Sequence, residues 1–326
     1  MLTLYTFSEQ RLKQSEYAAS VRLPEDVVWV DMLEPSYEEE QLAESALHLD
    51  VPTRDEIREI EASSRLYKKM GMLFMTVTVI SKADAPRPET TEVTFILAGA
   101  RLITVRYAAV QSFTAFISRQ QREDHAACDG EQVLMGLLDV VVDNVADILE
   151  QVGADLDAVS QEIFNRNEAA SANRYEGSLQ DFLRRIGRNG DVNSKASESL
   201  VSLARLLAFL RQSNQRKHDT GVTSSLNILD RDVRSLTSHA TFLADKATFL
   251  LSATLGMINI EQTDIIKIFS VAAVIFLPPT LVASIYGMNF QFMPELQWEF
   301  GYPFAIVMMI ISAILPYRFF KRRGWV

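Results

Sequence analysis

Tyr286-Gly287-Met288-Asn289 closes one long apolar stretch of this chain and opens the loop to a second. The first stretch covers residues 268–286 and the second about residues 300–317, and neither contains a charge. Each is close to the roughly 20 residues that a helix needs to cross a bilayer core. A helix satisfies its own backbone hydrogen bonds, so it can cross where an irregular segment cannot. The loop, residues 287–302, has no Lys or Arg and carries Glu295 and Glu299. Lys267 flanks the first stretch, and Lys321, Arg322 and Arg323 flank the second. The positive-inside rule therefore predicts both termini in the cytoplasm and the loop outside.

Charge divides the chain of 326 residues, whose formal net charge is −10. Residues 267–326 hold five of the 32 Lys and Arg and two of the 42 Asp and Glu. The remainder, residues 1–266, is left with a net of −13. Such an acidic body argues against nucleic acid as a partner, whose phosphates need a basic face. It suits divalent cations, or simply solubility. One cysteine, Cys128, rules out a disulfide framework and a thiolate cluster. The four histidines, His48, His125, His218 and His239, do not stand at ligand spacing. Residues 1–14 lack a long apolar segment, so no signal peptide is expected.

Residues 1–128 read as a mixed α/β domain. Strands are predicted over 2–7, 27–31 and 73–81, with a hairpin formed by 92–97 and 101–107 about Ala98-Gly99-Ala100. Ser36-Tyr37-Glu38-Glu39 has the form of a capping box and predicts a helix to about Leu49; Thr53-Arg54-Asp55-Glu56 predicts a second. Pro86 and Pro88 place a loop over 84–89. From Glu131 the periodicity turns helical, with a polar turn expected over 165–177. A second helical segment surrounds Leu200, Leu203 and Leu207, and Gly187, Asn189 and Gly190 are expected to weaken or break it.

The third helix carries the longest pattern. Apolar or small residues recur at 222, 226, 229, 233, 236, 240, 243, 247, 250, 254 and 257, in alternating steps of four and three. This heptad seam predicts one continuous helix from about Thr223 into the membrane and on to Tyr286. At about 1.5 Å per residue its length is on the order of 95 Å. The expected organisation is an α+β cytosolic domain (1–128), a helical domain with a long stalk (129–266) and a transmembrane hairpin (267–326). Two crossings per chain cannot enclose a water-filled path, so a pore needs several copies. Ala272, Ala273, Ala283 and Ser284 allow close approach between first crossings.

Several runs together resemble the CorA magnesium transporter family. They are Ile258-Asn259-Ile260-Glu261-Gln262, Ile266-Lys267-Ile268-Phe269-Ser270, Phe276-Leu277-Pro278-Pro279-Thr280, Tyr286-Gly287-Met288-Asn289-Phe290 and Met293-Pro294-Glu295-Leu296. Gly301-Tyr302-Pro303 and the basic end, residues 321–325, match as well. The Gly-Met-Asn triplet alone is a weak motif; with the Met-Pro-Glu-Leu loop and two terminal crossings it is strong. The close match covers about residues 255–326, and Ile60-Glu61-Ala62-Ser63 extends a weaker one into the α/β domain. The resemblance implies a funnel-shaped homopentamer in the cell inner membrane, with the first crossing lining a pore for Mg²⁺. Co²⁺ and Ni²⁺ are further expected cargo, and no organic cofactor is implied.

Under that resemblance the filter is Gly287, Met288 and Asn289. Mg²⁺ releases its water reluctantly, so a ring of Asn289 carbonyls and Gly287 backbone carbonyls would accept hydrogen bonds from the hydrated ion. Gly287 would also let the chain turn at the helix end. The pore-lining positions carried over are Ile266, Phe269, Ala273, Leu277, Thr280 and Ser284, with Asn259 and Thr263 below them. Ile266, Phe269 and Leu277 could form an apolar constriction; the competing reading makes them lipid-facing. Ser252 stands where some relatives carry an Asp. Pro278-Pro279 frees carbonyls and is expected to kink or widen the helix. Glu295 and Glu299 would concentrate cations at the mouth. Tyr286, Phe290, Phe292, Trp298 and Tyr302 read as an interfacial belt.

In the family, cytosolic Mg²⁺ bound between subunits holds the pore closed. The nearest candidates here are Asp84, Glu89, Asp230 and Asp232, each of which also reads as part of a solvated surface. Two alternatives remain open at this stage: a zinc transporter of the same superfamily, and a non-conducting membrane-anchored coiled-coil sensor or scaffold. Enzymatic activity is not expected, since no nucleophile, P-loop or metal-ligand constellation stands out.

Overall fold

The computed structural model describes all residues except 9–10, 17–23, 25, 58–60, 83–87, 122–128, 166–178, 215–219, 289–292, 295–297 and 326. It divides into two compact units, Met1–Leu251 and Ser252–Val326.

The first unit is built on a seven-stranded sheet. Its strands are β1 (Leu2–Ser8), β2 (Arg11–Glu16), β3 (Val27–Leu33), β4 (Leu66–Lys69), β5 (Met72–Lys82), β6 (Glu89–Ala98) and β7 (Arg101–Arg106). The order is β2-β1-β3-β7-β6-β5-β4, with β3–β7 parallel and the other pairings antiparallel. The predicted hairpin is present, with Ala98 opposite Arg101 and Gly99 at φ 63°. A second, unforeseen hairpin joins β4 to β5 through Met70 and Gly71, at φ 52° and 86°. Two successive positive φ values define the turn that suits strand twist, and Gly71 carries one of them without steric cost.

Alternation sends Val30, Met32, Ile103 and Val105 to one face of the sheet, where they pack with Ala43, Leu49, Val51 and Ile57. These last four come from α1 (Tyr37–Leu47), α2 (Arg54–Ile57) and their connection. Both predicted caps form. Glu39 N–H donates to Ser36 Oγ at 3.3 Å while Ser36 N–H donates to Glu39 Oε2 at 2.9 Å. Thr53 and Glu56 repeat the exchange at 3.4 and 2.8 Å. A further short helix, α3 (Ala62–Arg65), precedes β4.

The opposite face carries Trp29 and Phe95 against Phe113 and Phe116 of α4 (Gln111–Gln120). Beside them starts α5 (Gly130–Phe164). The approach is tight: Gly130 N–H donates to Ala100 O at 2.7 Å, and a Cβ on Gly130 would clash with the backbone of Arg101 and Leu102. Across the parallel β3–β7 pair, Arg106 grips Asp31 in two bonds of 3.1 and 2.7 Å. Thr104 Oγ1 donates to the same carboxylate at 2.7 Å and accepts from Trp29 Nε1 at 2.9 Å. The pair is almost wholly buried, and all its charged atoms have partners.

Next in the chain come α6 (Leu179–Asn214) and α7 (Thr220–Tyr286). The expected break at Gly187 and Gly190 does not occur, and α6 runs through both. Tertiary bonds hold the weak stretch. Arg185 pairs with Asp155 and Glu162 of α5, and Asn189 Nδ2 donates to Asp155 at 2.6 Å. The polar turn expected over 165–177 lies mainly outside the described residues. The α7 seam is buried at Leu226, Leu229, Val233, Ala240, Leu243, Ala247 and Leu250, with Leu236 half-buried. Lys246 of α7 reaches Asp157 of α5 at 2.6 Å.

The second unit holds the membrane-facing end of α7 and α8 (Gly301–Arg322). Both helices are long and apolar enough to cross a bilayer. Pro278 and Pro279 lie inside α7, which continues through them to Tyr286.

Candidate pore-lining face and ion filter

Asn259, Thr263, Ile266, Phe269, Ala273, Leu277, Thr280 and Ser284 all lie on α7. Their mean spacing is close to the 3.6 residues of one helical turn, so they share a face. All eight are exposed in the single chain, Phe269 by 72% and Leu277 by 66%. Apolar side chains as exposed as Ile266, Phe269 and Leu277 are costly in water and require lipid or another protein surface to cover them.

The hydroxyls on this face are oriented. Thr263 Oγ1 donates to Asn259 O at 2.7 Å, and Thr280 Oγ1 donates to Phe276 O at 2.7 Å. Each hydroxyl spends its proton on its own helix and turns its lone pairs outward. First-shell water on a cation offers only hydrogens, so acceptors are what such a face must present. Pro278 and Pro279 lack N–H groups and leave the carbonyls of Val274 and Ile275 without their usual helical donors.

Beyond Tyr286 the chain leaves the helix in a turn. Gly287 N–H donates to Ala283 O at 2.9 Å and Met288 N–H to Ile285 O at 3.3 Å. Among the described residues the glycines with positive φ are Gly71, Gly99 and Gly324, so Gly287 turns the chain without a left-handed conformation. Gly287 instead continues the last helical turn, where a Cβ would sit 3.1 Å from Ala283 O. Gly287 and Met288 are exposed; Asn289 and Glu295 lie outside the described residues, and Glu299 stands exposed just before α8.

The regulatory candidates are dispersed. Asp84 lies outside the described residues. Glu89 pairs with Lys82 at 3.0 Å, and Asp232 with Arg231 at 3.7 Å. Asp230 Oδ2 receives both Arg211 and Arg234, at 3.3 and 3.2 Å. Among the described residues no group of three or more His, Cys, Asp or Glu is placed to hold a metal within one chain. A charged feature not anticipated from the sequence is the row Asp139, Asp143 and Asp147 on α5. Partial burial, then Asp139, push the Asp143 carboxyl above the usual range, and Asp147 and Asp232 add to the effect. The four-residue spacing was the signal that could have revealed the row.

A sheet-based body followed by two helices apolar enough to cross a bilayer, with hydroxyl and amide side chains along one face of the first and two acids in the sequence between them, fits a membrane-embedded transporter. The profile of CorA-like Mg²⁺ transporter proteins matches residues 24–322. The magnesium transport protein CorA of Pectobacterium atrosepticum is 35% identical over 326 residues, spanning 100% of both chains. That of Haemophilus influenzae is 33% identical over 331 residues, again spanning 100% of both. Among solved structures, the CorA magnesium transporter of Methanocaldococcus jannaschii superposes with a TM-score of 0.79 at 16% identity, covering 100% of this chain and 99% of that one. The cytoplasmic domain of ZntB from Vibrio parahaemolyticus shares the fold at a TM-score of 0.60 and 10% identity, over 79% of this chain and 97% of that one. The chain belongs to the CorA-like Mg²⁺ transporter family, a family of transporters rather than enzymes.

Proposed function

We propose that this chain forms a homopentameric channel in the cell inner membrane that admits Mg²⁺ passively, driven by the membrane potential, with both termini in the cytoplasm. The observation that supports this reading is the single face of α7 that carries Asn259, Thr263, Thr280 and Ser284 and leads to Gly287 and Met288, which Asn289 follows in the sequence. Five such faces around an axis give rings of oxygen acceptors above and below an apolar constriction at Ile266, Phe269 and Leu277. Hydrated Mg²⁺ passes the rings without being stripped, and the apolar ring closes the path by dewetting. Glu295 and Glu299 concentrate the cation at the outer mouth. Cytosolic Mg²⁺ favours the closed form by screening carboxylates where subunits meet, with Asp84, Glu89, Asp230 and Asp232 as candidates.

The test is reconstitution into liposomes loaded with a Mg²⁺-sensitive dye, with an inside-negative potential imposed. Influx of Mg²⁺ is expected, with Co²⁺ and Ni²⁺ as slower cargo. Zn²⁺ flux without Mg²⁺ flux would transfer the chain to the zinc-transporting branch. Absence of flux for every ion would favour a non-conducting scaffold.

A further inference from the structure

The C-terminal end of α8 carries four cations, Arg318, Lys321, Arg322 and Arg323, all exposed. No carboxylate among the described residues pairs with any of them, whereas Lys267 pairs with Asp264 at 2.8 Å. Nor does the helix end require them to cap its free carbonyls. Gly324 at φ 71° reverses the chain, its N–H donates to Lys321 O at 3.2 Å, and Trp325 N–H donates to Phe320 O at 3.1 Å. Those two bonds form a Schellman motif, in which the residue after the glycine packs on the residue three before the cap. Trp325 does so, stacked on Phe320 at 5.4 Å and 25°. Two of the cations lie over aromatic faces: Lys321 is 5.8 Å from the Tyr317 centroid and Arg323 is 5.1 Å from that of Phe319. The turn thus fixes an indole and at least two cations at one level of the helix.

We infer that this collar binds the phosphate of an anionic phospholipid in the leaflet where α8 ends. Tryptophan settles at headgroup depth, which places the neighbouring guanidinium and ammonium groups at the level of the lipid phosphates. Arginine matches phosphate oxygens with a planar fork of donors, and four cations with no carboxylate partner among the described residues complement an acidic headgroup far better than a zwitterionic one. The inference rests on the membrane placement of α8 and not on ion conduction. Lipid retention is read without flux, so the two proposals fail separately.

The experiment is native mass spectrometry of the full-length protein in detergent, titrated with phosphatidylglycerol, phosphatidylcholine or inorganic phosphate. Phosphatidylglycerol is expected to be retained and phosphatidylcholine released. The R318Q/K321Q/R322Q/R323Q variant is expected to bind phosphatidylglycerol on the order of a hundredfold more weakly. The charge-keeping R318K/R322K/R323K variant is expected to stay within about tenfold of the wild type. Equal retention by the wild type and the glutamine variant overturns the proposal, as does equal retention of the two lipids. Displacement of phosphatidylglycerol by millimolar inorganic phosphate assigns the collar to free phosphate and overturns the lipid assignment. If the glutamine variant does not insert, the salt dependence of wild-type retention decides, and a salt-insensitive signal overturns the proposal.

Discussion

At the scale of single residues, a polar side chain can serve the fold or be proposed to serve the ion. Asp31 belongs to the first kind. Its side chain is 4% exposed and takes hydrogen bonds from Arg106 and Thr104, while Arg106 also lies 4.6 Å over the Phe113 ring. Asp31→Ala strands a buried guanidinium and is expected to cost about 3–5 kcal/mol. A thermal melt of the purified protein checks this, and a change below about 1 kcal/mol would refute the pair's structural role. Asn289, a neutral amide outside the described residues, is the side chain proposed for the second role. If five Asn289 carbonyls accept hydrogen bonds from the hydrated ion, Asn289→Ala should abolish Mg²⁺ influx and leave assembly intact. The check is liposome flux beside the mass of the complex; wild-type flux in the variant removes Asn289 from the filter.

At the scale of elements, local chemistry was legible in the sequence and distant pairing was not. Ser36 with Glu39, and Thr53 with Glu56, announced two helices because a capping box spans only four residues. The α7 seam was legible because one period repeats along it. By contrast β2, Arg-Leu-Lys-Gln-Ser-Glu, is a polar edge strand, and β4 is only four residues long, so neither carries a strong alternation. The continuity of α6 through Gly187 and Gly190 depends on Asp155, some thirty positions earlier, and no local pattern encodes it. That contact has a testable pH signature. Burial would raise the Asp155 carboxyl, but hydrogen bonds from Arg185 and Asn189 outweigh it and hold the group below its usual range. A depressed carboxylate stabilises the fold above the unfolded value, near 3.9, and loses that contribution as pH falls through the folded one. Asp155→Asn should therefore lower stability at neutral pH, by less than about 1 kcal/mol given its exposure, and the gap should close as pH falls below about 4. Melts across that range check it; a constant gap would exclude the ion pair as the cause.

At the scale of the whole molecule, the question is how an acidic body biases a pore. Residues 1–266 carry a net of −13, so bringing several copies together costs electrostatic energy that a divalent cation relieves. Mg²⁺ can shift the pore toward closure only by binding the closed assembly more tightly than the open one. The candidate carboxylates are not equivalent in this respect. Asp230 is held by Arg211 and Arg234 and already has its countercharge, whereas Asp232 has only its sequence neighbour Arg231, at 3.7 Å, and adds to the repulsion felt by Asp143. Millimolar cytosolic Mg²⁺ is expected to protect the first unit from protease and to slow influx in parallel. The Asp84→Asn, Asp230→Asn, Asp232→Asn triple variant should need several-fold more Mg²⁺ for both effects, with ion preference unchanged. Asp230→Asn alone should leave the Mg²⁺ dependence close to that of the wild type, since it removes ion pairs rather than repulsion. Parallel measurement of proteolysis and liposome flux against internal Mg²⁺ decides the matter. If protection and inhibition both persist unshifted in the triple variant, other acids carry the response, and the row at Asp139, Asp143 and Asp147 is the next to neutralise.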